Sequence, residues 1–270
     1  MAEMGLHMNL SFRILSGALL TILLAGCAQQ KPVTKDKASL IRSGDATLAN
    51  GDALAATQLY EEALQQSPRD AGLQTKVGDA KVASGRAAAA LTNYRQALEA
   101  NPSDQRALLG AGRAYLVVND ADSAIDVFQR AVLNEPTPKN YAALGTAYDL
   151  KGSHKEAQAA YRQGLRLAPQ DLNVRNNIGL SLAMAGDTDA GINVLQSVVA
   201  EPNATAAHRS NLALVYGLAG KETAARRLLE KDLKTADVSR NLEVYRKMRG
   251  LNPKSLREAV LTDAPARLNR

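Results

Sequence analysis

Turn-forming and helix-stopping residues recur along this chain at an almost constant interval, with helix-forming stretches of small and apolar residues between them. Glycine or asparagine stands at Gly51, Gly85, Asn119, Gly152, Gly186 and Gly220, with separations of 34, 34, 33, 34 and 34 residues. Prolines at Pro68, Pro102, Pro136, Pro169 and Pro202 mark the other end of each unit. Each is expected to stop a helix, because proline lacks the backbone N–H and clashes with the preceding turn. Two helical segments, A and B, fit between successive stops. A period of this length is the signature of a stacked helical repeat, so the expected fold class is all-α, a solenoid of about six helix pairs. No pair can bury its apolar face alone, and stability accumulates through nearest-neighbour interfaces.

Positions inside the units are in register as well. The first unit offers Gly44, Gly51, Ala56, Tyr60, Ala63 and Pro68, the second Gly78, Gly85, Ala90, Tyr94, Ala97 and Pro102. The third offers Gly112, Asn119, Ala124, Phe128, Ala131 and Pro136, and the fourth Gly145, Tyr148, Gly152, Ala157, Tyr161, Gly164 and Pro169. Small residues let the two helices cross closely, and the ring fills the gap toward the neighbouring pair. Residue by residue these units resemble the tetratricopeptide repeat (TPR), which implies a right-handed superhelical solenoid with the A helices lining a concave groove.

Units five and six depart from the pattern. Gly191, Leu195 and Val198 stand where alanine, an aromatic residue and alanine are expected, and Asp232 replaces the last small residue of unit six. The family's tryptophan on helix A is absent, its place taken by Leu40, Gln74, Leu108, Tyr141, Arg175 and Arg209. After Asp237 the period breaks. Val238 to Arg249 reads as an amphipathic helix with Leu242, Val244, Tyr245 and Met248 on or near one face, placed to cover the open end of the solenoid. A short helix is expected from Ser255 to Leu261, and loose chain from Pro265.

The amino-terminal part is different in kind. The apolar run from Ile14 to Leu24 is shorter than the roughly 20 residues that span a bilayer, and the small residues Ala25 and Gly26 follow it, as at a signal-peptide cleavage site. The signal is expected to start at Met8, with Arg13 in its basic region. Leu24-Ala25-Gly26-Cys27 resembles the bacterial lipoprotein signal, which implies removal of residues 1–26 and acylation of Cys27. Several acyl chains together act as a near-permanent anchor, each buried methylene contributing about 0.8 kcal/mol. In the sorting rule of such lipoproteins Asp after the cysteine retains the protein in the inner membrane, so Ala28 implies the periplasmic face of the outer membrane. Residues 27–37 form the acylated cysteine and a polar tether of about 35 Å at ~3.4 Å per residue. The TPR solenoid is expected over 38–236, and the capping helices with a basic tail over 237–270.

Composition narrows the chemistry. Cys27 is the one cysteine of the 270 residues, which excludes an intramolecular disulfide and leaves stability to packing. The net charge of +6 comes with no lysine-rich run of the kind that binds nucleic acid, and export argues against such a partner. Residues 240–270 supply +5 of that charge. A solvated helix face is the ordinary meaning of such a run, and an acidic partner or anionic lipid the functional one. The three histidines, His7, His154 and His208, have no ligand partner at metal-binding spacing. There is no nucleophile elbow or phosphate loop. The expectation is a protein without enzymatic activity, metal or cofactor.

Binding has more support. In TPR arrays the groove is lined from fixed positions of helix A, which here places Lys76, Asp79, Arg106, Arg113, Lys139, Thr146, Asp149, Asn173, Asn176, Asn177 and Asn211 on it. Of these, Arg106, Arg113, Lys139 and the four asparagines are the candidate partner-binding residues. An asparagine amide both donates and accepts and can pair with a peptide backbone. For Asn177 and Asn211, at equivalent places in successive units, an inter-helix hydrogen bond that satisfies buried backbone is the competing reading. The Lys/Asn/Asn/Lys/Arg carboxylate clamp of chaperone-binding members is missing.

One further resemblance is carried by Arg209 to Lys221, by Leu228 to Leu233, by Asn241-Leu242-x-x-Tyr245, and by Asn177 to Gly186 upstream. These segments look like the TPR lipoproteins of the tight-adherence (Flp/Tad) pilus assembly system. That resemblance implies an assembly factor, a pilotin that helps the outer-membrane secretin reach its membrane or form its ring. The secretin or other pilus-assembly proteins would be its partners. A general envelope adaptor recruiting peptidoglycan enzymes, and a periplasmic chaperone for pilin, are the alternative readings.

Overall fold

A computed structural model describes residues 36–261 of the chain; Cys27, the signal and the expected loose end after Pro265 lie outside the described residues. Fourteen helices and no strand occur among the described residues. Six hairpins follow one another: α1 (Lys37–Ala49) with α2 (Ala53–Gln65), α3 (Ala71–Ala83) with α4 (Ala87–Ala100), and α5 (Gln105–Val117) with α6 (Ala121–Asn134). Then come α7 (Pro138–Lys151) with α8 (His154–Leu167), α9 (Leu172–Met184) with α10 (Thr188–Val199), and α11 (Ala206–Leu218) with the short α12 (Glu222–Leu229). Two helices close the array, α13 (Thr235–Arg249) and α14 (Pro253–Leu261). Lys37, expected in the tether, opens α1 and reaches Asp70 at 3.0 Å.

Local chemistry sets the boundaries. Asp52, Asp70, Asp104, Asp120, Asp171 and Asp187 cap helix starts by accepting from backbone N–H groups of the first turn, each cap contributing about 1 kcal/mol. All six turn residues expected from the period have positive φ, from 60° at Asn119 to 96° at Gly186. Helix A ends there in a left-handed residue, which glycine adopts without strain and asparagine more readily than other side chains.

Packing explains the small-residue register. The ring of each B helix lies on the glycine of its own A helix: a Cβ on Gly44 would stand 2.5 Å from Cε1 of Tyr60, and one on Gly78 2.7 Å from Cε1 of Tyr94. Phe128 covers Gly112 and Tyr161 covers Gly145 in the same way. Tyr60, Tyr94, Phe128 and Tyr161 are each about 1% exposed. Unit five makes this contact with smaller parts. Leu195 sits over Gly179, and Gly191 brings α10 against the Gly179 carbonyl, where a Cβ would stand 2.6 Å away.

At five of its six positions the missing tryptophan is replaced in three ways, and at the sixth by the half-buried Tyr141. Leu40 and Leu108 are fully buried. Gln74 is buried and bridges Pro68 O, at 3.0 Å, and the Asn93 amide, at 2.7 Å. Arg175 binds Glu201 at 2.9 Å, and Arg209 binds Asp232 through two bonds of 2.7 and 2.5 Å. Each arginine thus fastens its A helix to the far end of the B hairpin. The Arg209 hydrogen bond holds the Asp232 carboxyl below its ordinary range.

Successive A helices touch one another, α3 with α5, α5 with α7, α7 with α9 and α9 with α11, whereas successive B helices make no comparable contact. The A helices therefore form the inner layer of the array. At the carboxyl end α13 begins three residues earlier than Val238 and packs on α11, where Tyr245 covers Gly217 as a knob covers its glycine. Val238, Leu242, Tyr245 and Met248 are buried there. Helix α14 does not extend the array. It turns back onto α7 and α9, with Val260 3% exposed, Arg257 over Gly152, and Glu258 accepting from Asn119 Nδ2 at 2.9 Å.

Candidate protein-binding surface

The inner layer carries a ladder of polar groups whose rungs are set by the knob rings. In the first unit Tyr60 OH donates to Asp45 at 2.6 Å, and Lys76 of the next A helix binds the same carboxylate at 2.5 Å. In the second, Tyr94 OH donates to Asp79 at 2.7 Å, and Arg106 of the next A helix binds Asp79 at 2.6 Å. Burial pushes the Asp45 carboxyl up, but the hydrogen bonds from Lys76 and Tyr60 outweigh it and lower its pKa. Burial first, and the neighbouring carboxylate second, push Tyr60, Tyr94 and Tyr161 far above the usual phenol range, so each hydroxyl remains a donor. Aspartate is needed at 45 and 79 because a ring with a hydroxyl must find an acceptor when buried.

The third unit breaks the pattern. Its ring is Phe128, which has no hydroxyl, and the position of Asp45 and Asp79 is held by Arg113. Lys139 stands one unit after Arg106, at the equivalent place on α7. Both are exposed, and neither makes a hydrogen bond or ion pair among the described residues. Of the three candidate cations, Arg106 is thus engaged by Asp79, while Arg113 and Lys139 are open.

The asparagines form a second cluster. Asn211 on α11 donates to Asn176 on α9 at 3.2 Å, and Asn176 donates to Asn177 at 3.4 Å. Asn176 is buried, while Asn177 and Asn211 are half-buried. Asn211 thus makes an inter-helix hydrogen bond, to a side chain and not to buried backbone, whereas Asn177 is bonded within its own helix. Asn173 is exposed and its Oδ1 pairs with His208 Nε2 at 3.2 Å. His208 is also the capping-box residue of α11, its Nδ1 accepting from Thr205 N. Burial, then the Arg209 charge, lowers its pKa.

Asp149, expected on the groove, is instead 1% exposed and ties three helices together. It accepts from Ser181 Oγ of α9 at 2.7 Å and Tyr161 OH of α8 at 2.9 Å, and pairs with His154 Nδ1 at 2.7 Å. Serine, histidine and aspartate meet here, but Ser181 donates to the carboxylate and not to the imidazole. That arrangement lacks the nucleophile–base hydrogen bond of acyl transfer. Thr146 turns its hydroxyl to Ala142 O at 3.0 Å. No group of metal-ligating side chains occurs among the described residues, and none of the described helices is long and apolar enough to cross a membrane.

The ladder, the Asp149 node and the return of α14 were not expected from the sequence. Near the carboxyl end, Arg246 and Arg249 pair with Glu222, and Lys247 with Glu243, so part of the basic run is internally neutralised.

Comparison with known proteins agrees with this geometry. Tetratricopeptide repeat models match residues 76–141 and 138–171. A tetratricopeptide repeat protein from Parabacteroides merdae ATCC 43184 superposes with a TM-score of 0.66 at 19% identity, over 85% of this chain and 92% of its own. MamA (41-end) from Desulfovibrio magneticus RS-1 gives 0.56 at 21% identity, over 62% of this chain and 95% of that one. For TTC0263, a thermophilic TPR protein of Thermus thermophilus, the values are 0.54, 19%, 66% and 98%. Among curated protein sequences there is no significant match. The chain folds as a TPR solenoid, and repeats of this kind mark a protein–protein interaction scaffold.

Proposed function

We propose that this scaffold is a lipid-anchored assembly factor of the outer membrane, facing the periplasm and acting in Flp/Tad pilus assembly as TadD does, with the secretin or a neighbouring assembly protein as its partner. The observation that supports the binding role is the inner layer of A helices, whose sequences carry two exposed and unpaired cations, Arg113 and Lys139, and, further along the array, the amides of Asn176, Asn177 and Asn211. Cys27 supports the anchor, since no other thiol can take a diacylglyceryl group. A tether ending before Lys37 would hold the groove within reach of a secretin ring at the membrane.

Replacing Cys27 with Ser tests the reading in cells. Membrane fractionation and surface pili should be lost together. A variant that stays in the outer-membrane fraction refutes the lipid anchor. Normal pili from a soluble variant refute the need for anchoring. Cross-linking of the wild-type chain in the intact envelope should recover the secretin, and its consistent absence would refute the pilotin role.

A further inference from the structure

We propose that the inner face between Arg113 of α5 and Lys139 of α7 takes a carboxylate side chain from an acidic, extended protein segment, which completes the ladder that this chain leaves one rung short. The inference rests on the scaffold reading above and specifies the chemistry of what the groove receives.

Of the two complete rungs the second sets the register for the third, since Lys76 stands four places further along its helix than Arg106 does along its own. At each, a carboxylate on one A helix meets a cation from the next, Asp45 with Lys76 at 2.5 Å and Asp79 with Arg106 at 2.6 Å. Gly112 and Gly145 align units three and four, which puts Lys139 where Arg106 stands and Arg113 where Asp79 stands. By that equivalence both places of the third rung are held by cations. The substitution is matched inside the fold. Phe128 replaces tyrosine, so the buried ring asks for no acceptor and the carboxylate is dispensable to packing. What remains is positive charge that makes no hydrogen bond or ion pair among the described residues, although Arg113 lies near enough to Tyr94 for its charge to act on that hydroxyl.

No described residue supplies the missing anion. The carboxylate nearest in sequence on α7, Asp149, is buried and engaged by Ser181, Tyr161 and His154. Glu258 of α14 reaches this part of the array but accepts from Asn119. An arginine fork and a lysine on adjacent helices suit one carboxylate, held bidentately by the guanidinium and capped by the ammonium. A second acidic residue two positions along an extended segment would fall toward Arg106, which Asp79 already half-neutralises.

The test uses the purified full chain and two fluorescein-labelled peptides, hexaglutamate and hexaglutamine, with anisotropy read at low and moderate salt. Hexaglutamate should bind and hexaglutamine should not, with affinity falling as salt rises. Arg113→Asp rebuilds the third rung with Lys139, so it should weaken hexaglutamate binding at least tenfold while the urea midpoint holds or rises. Lys139→Glu should weaken binding similarly. Arg246→Glu with Lys247→Glu, on α13, should change it less than twofold.

The inference is overturned if the wild-type chain fails to bind hexaglutamate. It is also overturned if Arg113→Asp stays within twofold of wild type, or if the α13 variant abolishes binding. Secretin cross-linking in the envelope separates the two levels. Its survival in a chain that ignores hexaglutamate removes the acidic-segment inference and leaves the scaffold reading standing.

Discussion

Replacing Gly112 with Ala sets two well-measured effects against each other in one buried contact. Glycine to alanine inside a helix gains about 1 kcal/mol in helix propensity. The new Cβ, however, would stand 2.8 Å from Cδ1 of Phe128 and closer still to Cε1 and Cζ, where carbon atoms need about 3.5–4.0 Å. Phe128 is 1% exposed and wedged between α5 and its neighbours, so the ring can retreat only by pushing the hairpin open. Overpacking of this kind costs about 1–3 kcal/mol, and an overlap this deep belongs at the upper end. The expected net loss is about 2 kcal/mol. Phe128→Leu alone leaves a void and should cost about 1 kcal/mol. The double variant reproduces what unit six already has, Ala213 with Leu229, both buried. It should lose only about 1 kcal/mol, a favourable coupling of about 2 kcal/mol between the two sites. Urea unfolding of a fragment from Asp36 to Arg270, followed by circular dichroism, measures all three. Because each unit leans on its neighbours, the loss in a central unit should also broaden the transition. An unchanged or higher midpoint for Gly112→Ala, or additive single effects, would refute the knob-on-glycine account.

Two other outcomes follow from particular contacts. Neutral His208 caps α11 and its pKa is lowered, so the unfolded chain takes up the proton first as pH falls below 6.5; stability should decline from pH 6.5 downward toward the lower folded pKa. His208→Gln keeps a capping-box side chain without titrating, and its urea midpoint should fall less than that of wild type between pH 7 and pH 5; parallel curves would rule the linkage out. Ending the chain at Asn252 removes Val260 and the partly buried Leu256, Ala259 and Leu261 from the terminal cluster; the loss should be about 2–4 kcal/mol by buried apolar area, with faster proteolysis near Asn119, and an unchanged midpoint would show that α14 is not docked.

The fold was legible because a repeat states each structural requirement several times. Turn positions at a spacing near 34 located all six left-handed residues among those described, Asn119 as well as the five glycines. Small residues and rings at fixed offsets located the helix crossings. Unit five was harder to read, since Gly191 and Leu195 meet the same requirement with the sizes redistributed. The return of α14 left no such trace. Its partners Asn119 and Gly152 are ordinary turn residues, and the contact spans 139 positions between Asn119 and Glu258. Position within the repeat also misled at Asp149. A place on helix A that usually faces the groove is covered here, because Ser181 and His154 supply donors that stabilise a buried carboxylate.

The polar ladder was in principle readable, and the reason lies in comparing units with each other. Along the A helices one position runs Asp45, Asp79, Arg113, while the ring position of the paired B helices runs Tyr60, Tyr94, Phe128. The two columns change together: carboxylate where the ring has a hydroxyl, cation where it has none. Such pairing within one chain is the imprint of a spatial contact, since a buried phenol without an acceptor is costly and a carboxylate without its phenol is free to be replaced. The fourth unit tests the rule by departing from its letter. Thr146 occupies the column although Tyr161 keeps its hydroxyl, and the acceptor has moved one turn along α7 to Asp149. Requirement and solution can therefore be separated. Each of these three tyrosine knobs finds a carboxylate on its own A helix, but the chain can place that carboxylate either at the exposed edge of the inner face or beneath it. Among the four ring-bearing units only the third has no phenol to satisfy, and it is there that Arg113 stands open to solvent.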